Sequence, residues 1–140
     1  MQFEAAKAIA QARCYGRCEG CGTAGVPLDA HHRITRGSGG VHGAAAAVSN
    51  NPSNLLMLCR PCHNMTLTTV HVSECIALGW VIERRASTVA RYVPAKIHTV
   101  NGYGWWFLLP DGTYQWADEL NLTPEYLLYY DVSASKQEDA

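Results

Sequence analysis

The sequence predicts a small α+β fold, and three observations carry that prediction. The stretch "FEAAKAIAQAR", residues 3–13, is rich in alanine and free of breakers, which is helix material. Past residue 80 the pattern changes to short apolar runs punctuated by Gly, Pro and Asp, which is strand-and-turn material. Between these regions stand two C-x-x-C pairs, Cys18/Cys21 and Cys59/Cys62, separated by 37 residues. With 140 residues and 48% hydrophobic content, the chain is expected to form a single domain, 1–140, around a modest core.

The elements follow in order. Residues 3–13 form a helix that leads into the first cysteine pair. "CEGCGTAGVPL" is a turn, because Gly20, Gly22 and Gly25 permit the tight backbone of a two-cysteine knuckle. "LDAHHRI" reads as a short strand. "TRGSGGVHGAAAAVSNNPSN" reads as a loop in which the four alanines add one helical turn. "NLLMLCRPCHN" is an apolar run ending in the second cysteine pair. A helix is expected over residues 70–78, closed by Gly79. "WVIERRA" and "ARYVPAKI" read as strands, and "GWWFLLPDGTYQWA" as a hairpin turning on Pro110-Asp111-Gly112. This divides the chain into a core over residues 14–79, a small β-rich C-terminal extension over 80–130, and a frayed tail over 131–140.

The cysteines set the chemistry of the core. No export signal is visible at the N-terminus, so the thiols are expected to stay reduced, and paired C-x-x-C then reads as zinc rather than disulfide. Zinc takes four ligands in a tetrahedron, at roughly 2.3 Å for sulfur. Cys18, Cys21, Cys59 and Cys62 fill all four positions, so the ion is structural and leaves no place for water or substrate. Cys14 and Cys75 lack a C-x-x-C partner and are expected to be buried as small apolar groups.

No apolar run reaches the roughly 18–20 residues of a membrane span. The expectation is a soluble cytoplasmic protein with no membrane partner. Net charge is −1, but it is unevenly spread: ten Lys and Arg face five Asp and Glu in residues 1–100, and one faces seven in residues 101–140. A positive body with an acidic tail can still steer a polyanion.

The histidines lie close to the zinc ligands in sequence. His31 and His32 follow Cys21 by ten and eleven residues, and His63 directly follows Cys62. Joining the knuckles through zinc therefore crowds three imidazoles toward one end of a small unit. With Asn54 at the start of the second run, the order is His32, Asn54, His63.

The stretch from Cys18 to His63 resembles the HNH endonuclease family, whose ββα-metal (His-Me finger) fold is often pinned by a four-cysteine zinc. The matching residues are "CEGC", "DAHHRI", "SGG", "NPSNLLMLC" and "CRPCHN", spread over about a third of the chain. The later "ALGW" and "GWWFLLPDG" resemble the tails of small phage-type HNH proteins. The resemblance implies metal-dependent hydrolysis of DNA phosphodiester bonds, by nicking or double-strand cleavage. His32 matches the general base, a role suited to an imidazole that titrates near neutral pH. His31 and His63 match ligands of a catalytic divalent ion, and Asn54 matches the residue that holds the loop orienting the base. Leu67 stands where many relatives carry a further histidine ligand, and His71 is the candidate to replace it. Asp29 shares a strand face with His31 and is a candidate to approach the ion. Imidazole ligands suit Mn²⁺, Ni²⁺ or Zn²⁺ better than Mg²⁺. A phage-encoded enzyme of this kind would work in the host cytoplasm beside packaging proteins, and double-strand cutting would favour a homodimer.

Arg33, Arg36 and Arg60 are candidate phosphate contacts. Arg84, Arg85, Arg91 and Lys96 form a further basic patch, whereas Trp105, Trp106 and Trp116 read as packing residues. His42 and His98 lack motif context and are expected at the surface. The rival reading is a non-catalytic zinc-ribbon module that binds DNA or protein. It would need the cysteines but not the histidines.

Overall fold

Residues 1–34, 49–83 and 89–117 are described by the computed structural model. Helix α1 spans Phe3–Cys14, and the chain leaves it through Tyr15 and Gly16, both with positive φ. Its buried Ala6 and Ala10, one turn apart, pack on Leu55 and Met57. Those two residues belong to β2, Leu55–Cys59, which pairs antiparallel with β1, Leu28–His32, in the register Leu28 opposite Cys59 to His32 opposite Leu55. Every residue of β2 is buried, and the two faces of the strand serve different cores. Leu55 and Met57 meet α1, while Leu56 and Leu58 join Cys18, Trp80, Ile97, Trp106 and Leu108 in the larger core.

Helix α2, Arg60–Leu67, starts directly from the end of β2 with Pro61 in its first turn, where a missing N–H costs nothing. Helix α3 covers Val72–Ala77. Gly79 follows at φ 73°, and a Cβ there would sit 2.2 Å from the Pro94 carbonyl oxygen, so the position accepts only glycine. A second, antiparallel sheet then forms from β3 (Ala95–Thr99), β4 (Gly102–Leu108) and β5 (Tyr114–Trp116), in that spatial order. The outer edge of β3 is docked rather than bare: the His98 N–H donates to Glu19 O and the Lys96 N–H to Leu78 O, each at 2.8 Å.

A buried ionic hub ties these parts together. Arg13 grips Glu19 with two hydrogen bonds, of 3.0 and 2.6 Å, and also donates to the carbonyls of Pro52 and Leu55. Glu19 in turn accepts from the Met57 N–H and the Tyr114 hydroxyl. Glu19 lies between Cys18 and Cys21, so this hub joins the first knuckle to α1, β2 and β5.

The structure is mixed α and β with two small sheets, as expected. The leading helix, the first strand and the Pro110-Asp111-Gly112 hairpin fall where the residue patterns place them. Cys14 and Cys75 are buried, and Trp106 is in the core with Trp116 edge-on to it at 4.9 Å. His98 is half-buried rather than at the surface, with its ring 4.3 Å from Tyr103.

Other expectations need correcting. The helix expected over 70–78 is shorter, and α2 precedes it inside what reads as a knuckle alone. The described part of "WVIERRA" makes only a bridge between Ile82 and Ile34. "ARYVPAKI" opens with a 3-10 turn at Ala90–Tyr92 and becomes strand only past Pro94, which lacks a ladder donor. The alanine run, His42, Arg84, Arg85, the whole 118–130 stretch and the 131–140 tail lie outside the described residues. Among the described residues, no helix is long and apolar enough to cross a membrane.

Candidate metal centre and histidine cluster

The sulfurs of Cys18, Cys21, Cys59 and Cys62 all lie within 4.8 Å of one another, and those of Cys21 and Cys59 are 3.7 Å apart. Four sulfurs at roughly 2.3 Å from a central zinc would stand about 3.8 Å apart, so the cluster has the dimensions of a zinc tetrahedron. The backbone N–H groups of Cys21 and Cys59 point at Cys18 Sγ, at 3.4 and 3.2 Å, as donors to a thiolate do. None of the six cysteines is in a disulfide. Burial pushes the Cys18 thiol up, and burial with the charge of Cys18 pushes the Cys62 thiol up. Burial opposes ionisation of Cys21 too, but hydrogen bonds from Thr23 and the neighbouring sulfurs hold it at about 7. Such a group of sulfurs, costly to ionise together, is what a dication stabilises. The residues fit a structural zinc ion.

The strand alternation of β1 sends the neighbouring imidazoles to opposite faces. His31 points to the side covered by α2, where its ring centre is 5.4 Å from that of His63. It is buried, and its Nε2 lies 2.8 Å from the Trp80 carbonyl oxygen. A carbonyl only accepts, so Nε2 carries the hydrogen and Nδ1 the lone pair. Burial pushes the His31 pKa down to about 4, so the ring is neutral at neutral pH. His63, partly exposed on α2, has Nδ1 3.1 Å from Asp29 Oδ2. His32 lies on the α1 side, stacked on Phe3 at 5.5 Å, with Nε2 3.1 Å from Asn50 Oδ1.

Asn54 is buried between two backbone segments. Its amide donates to Ser49 O at 3.0 Å, and its Oδ1 accepts from the Ile34 N–H at 2.8 Å. It therefore clamps the end of the first strand to the segment that carries Asn50.

Arg33 requires a correction as a phosphate contact. It is fully buried, and its guanidinium donates to the carbonyls of Gly79, Ser53, Ala90 and Val93. Desolvated and committed to backbone, it does not reach a surface ligand. Arg60 is different: its side chain is 72% exposed and lies 3.7 Å from Asp29. Arg36 lies outside the described residues. His71 stands just before α3, with Nδ1 3.9 Å from Glu74. Among the described residues, the cysteines are the only cluster of three or more His, Cys, Asp or Glu placed to hold an ion. Neither Asp29 nor His71 thus completes a three-ligand set with His31 and His63.

Three partners of the histidines escaped the sequence reading. Asp29 was legible as a face-mate of His31, though not as the acceptor for His63. Asn50 and the Trp80 carbonyl carry no sequence signal, because both reach β1 only through tertiary contacts. Comparison with protein-family models, curated proteins and solved structures finds no match to this chain.

Proposed function

We propose that the chain is a metal-dependent endonuclease of the HNH type that hydrolyses DNA phosphodiester bonds. The observation that carries this reading is the pairing of His31 and His63 across the β1–α2 contact, each with one ring nitrogen held by a protein acceptor. Two imidazoles bound to one ion at about 2.0–2.1 Å set their ring centres roughly 5 Å apart, close to the spacing found. His31 Nδ1 and His63 Nε2 are the nitrogens left to ligate. The succession β1, β2, α2 is compatible with a ββα-metal unit, with the four-cysteine clasp holding its open end.

A divalent ion held there would neutralise the phosphoryl oxygens and assist the leaving 3′ oxygen. His32 is the base in this scheme. With its Nε2–H directed at Asn50, the basic nitrogen is Nδ1, which takes a proton from the attacking water. Asn54 acts through the backbone, keeping the Asn50 segment and the end of β1 in register. Of the candidate phosphate contacts Arg33, Arg36 and Arg60, exposed Arg60 is the described one able to meet a DNA phosphate, since Asp29 engages it only weakly across partly solvated space.

Plasmid nicking tests the reading, with zinc-loaded protein and added Mg²⁺, Mn²⁺ or Ni²⁺. Cleavage by wild type, reduced at least a hundredfold in His32→Ala, is expected. Inactivity with every ion, alongside retained DNA or protein binding, would favour the non-catalytic zinc module. A His32→Ala variant that cuts like wild type would remove the base assignment.

A further inference from the structure

Asp29 and His31 share a face of β1 because they are two residues apart in a strand. Helix α2 covers that face and brings His63 over it, so that Asp29 Oδ2 meets His63 Nδ1 at 3.1 Å. An ionised carboxylate has no proton to give. The hydrogen in this contact therefore belongs to Nδ1, and the lone pair of His63 to Nε2. An unconstrained histidine side chain in water favours the opposite tautomer, with the proton on Nε2. Asp29 thus reverses an intrinsic preference. Arg60 lies 3.7 Å from the same carboxylate oxygen.

We propose that Asp29 is a positioning residue: it fixes the tautomer and orientation of His63 so that Nε2 is presented to a divalent ion. The Trp80 carbonyl does the corresponding work for His31, through a backbone atom that no side-chain substitution removes. Outer partners of this kind typically change metal affinity ten- to a hundredfold when lost. The inference rests on the reading of His63 as a ligand.

The test uses the full chain with its cysteine site filled by zinc. Side-chain ¹⁵N NMR is expected to show His63 as the Nδ1–H tautomer in wild type, shifting toward Nε2–H in Asp29→Ala and reverting in Asp29→Glu. Mn²⁺ affinity, measured by titration calorimetry without DNA, should fall at least about tenfold in Asp29→Ala and recover substantially in Asp29→Glu. Zinc content should stay the same. A wild-type His63 protonated on Nε2 would overturn the proposal without any variant. So would unchanged Mn²⁺ affinity in Asp29→Ala. If both signatures hold but no ion supports nicking, the nuclease reading fails and the role of Asp29 stands. If wild type nicks and the signatures are absent, the reverse is true.

Discussion

Replacing Arg33 by Met removes a guanidinium that is fully buried and donates four hydrogen bonds to backbone carbonyls, at 2.6–3.2 Å. Methionine restores part of the apolar volume and none of the donors. A buried acceptor left without a donor costs about 1–3 kcal/mol. Carbonyls tolerate this better than N–H groups, because two lone pairs give them other partners. Taking the low end for each of the four gives a loss of about 3–5 kcal/mol, against a total of about 5–15 kcal/mol for a typical domain. At roughly 2–4 °C per kcal/mol, Tm should fall by about 6–20 °C. The assay is thermal unfolding of zinc-saturated protein by circular dichroism. Arg60→Ala is the control: an exposed arginine should change stability by under about 0.5 kcal/mol. If Arg33→Met melts within about 3 °C of wild type, the carbonyl cage is not stabilising, and a ligand-facing role for Arg33 returns.

Three further outcomes are expected. Cys62→Ser should reduce bound zinc well below the roughly one ion per chain of wild type and abolish cooperative melting, since zinc binding and folding are linked; metal analysis with calorimetry checks both. Burial, followed by the charge of Glu19, keeps the Tyr114 hydroxyl protonated well above the usual tyrosine range. Its stabilising effect is therefore complete below about pH 10 and is lost as pH rises beyond that. Denaturant titrations should show wild type losing more stability than Tyr114→Phe between about pH 9 and 11, although the variant starts lower by about 1 kcal/mol. Gly79→Ala forces a Cβ against the Pro94 carbonyl at positive φ, and should cost more than about 3 kcal/mol in the same titration.

The four-cysteine cluster was legible because its signal is local: each C-x-x-C delivers two sulfurs from one tight turn, and only the joining of the turns is long-range. Helix α1 and the β4–β5 hairpin were legible for the same reason. Helix α2 was not. Its first residues belong to a cysteine knuckle, and a proline two residues in reads as a breaker until it is known to sit at the helix start. Arg33 was misread because its partners come from three separated stretches, around residues 53, 79 and 90–93. An arginine beside a histidine pair looks like a surface cation in one dimension. The opposite orientation of His31 and His32 followed from strand alternation alone, whereas their acceptors Trp80 and Asn50 lie 49 and 18 residues away.

Trp80 has a position whose effect reaches beyond packing. Its ring lies against Gly20 in the first knuckle, its indole N–H donates to Lys96 O, and its own carbonyl accepts from His31. One residue thus touches the first knuckle, β3 and the His31 imidazole at once. The indole is also a natural fluorophore, one of four in the sequence, set against the knuckle that carries Cys18 and Cys21.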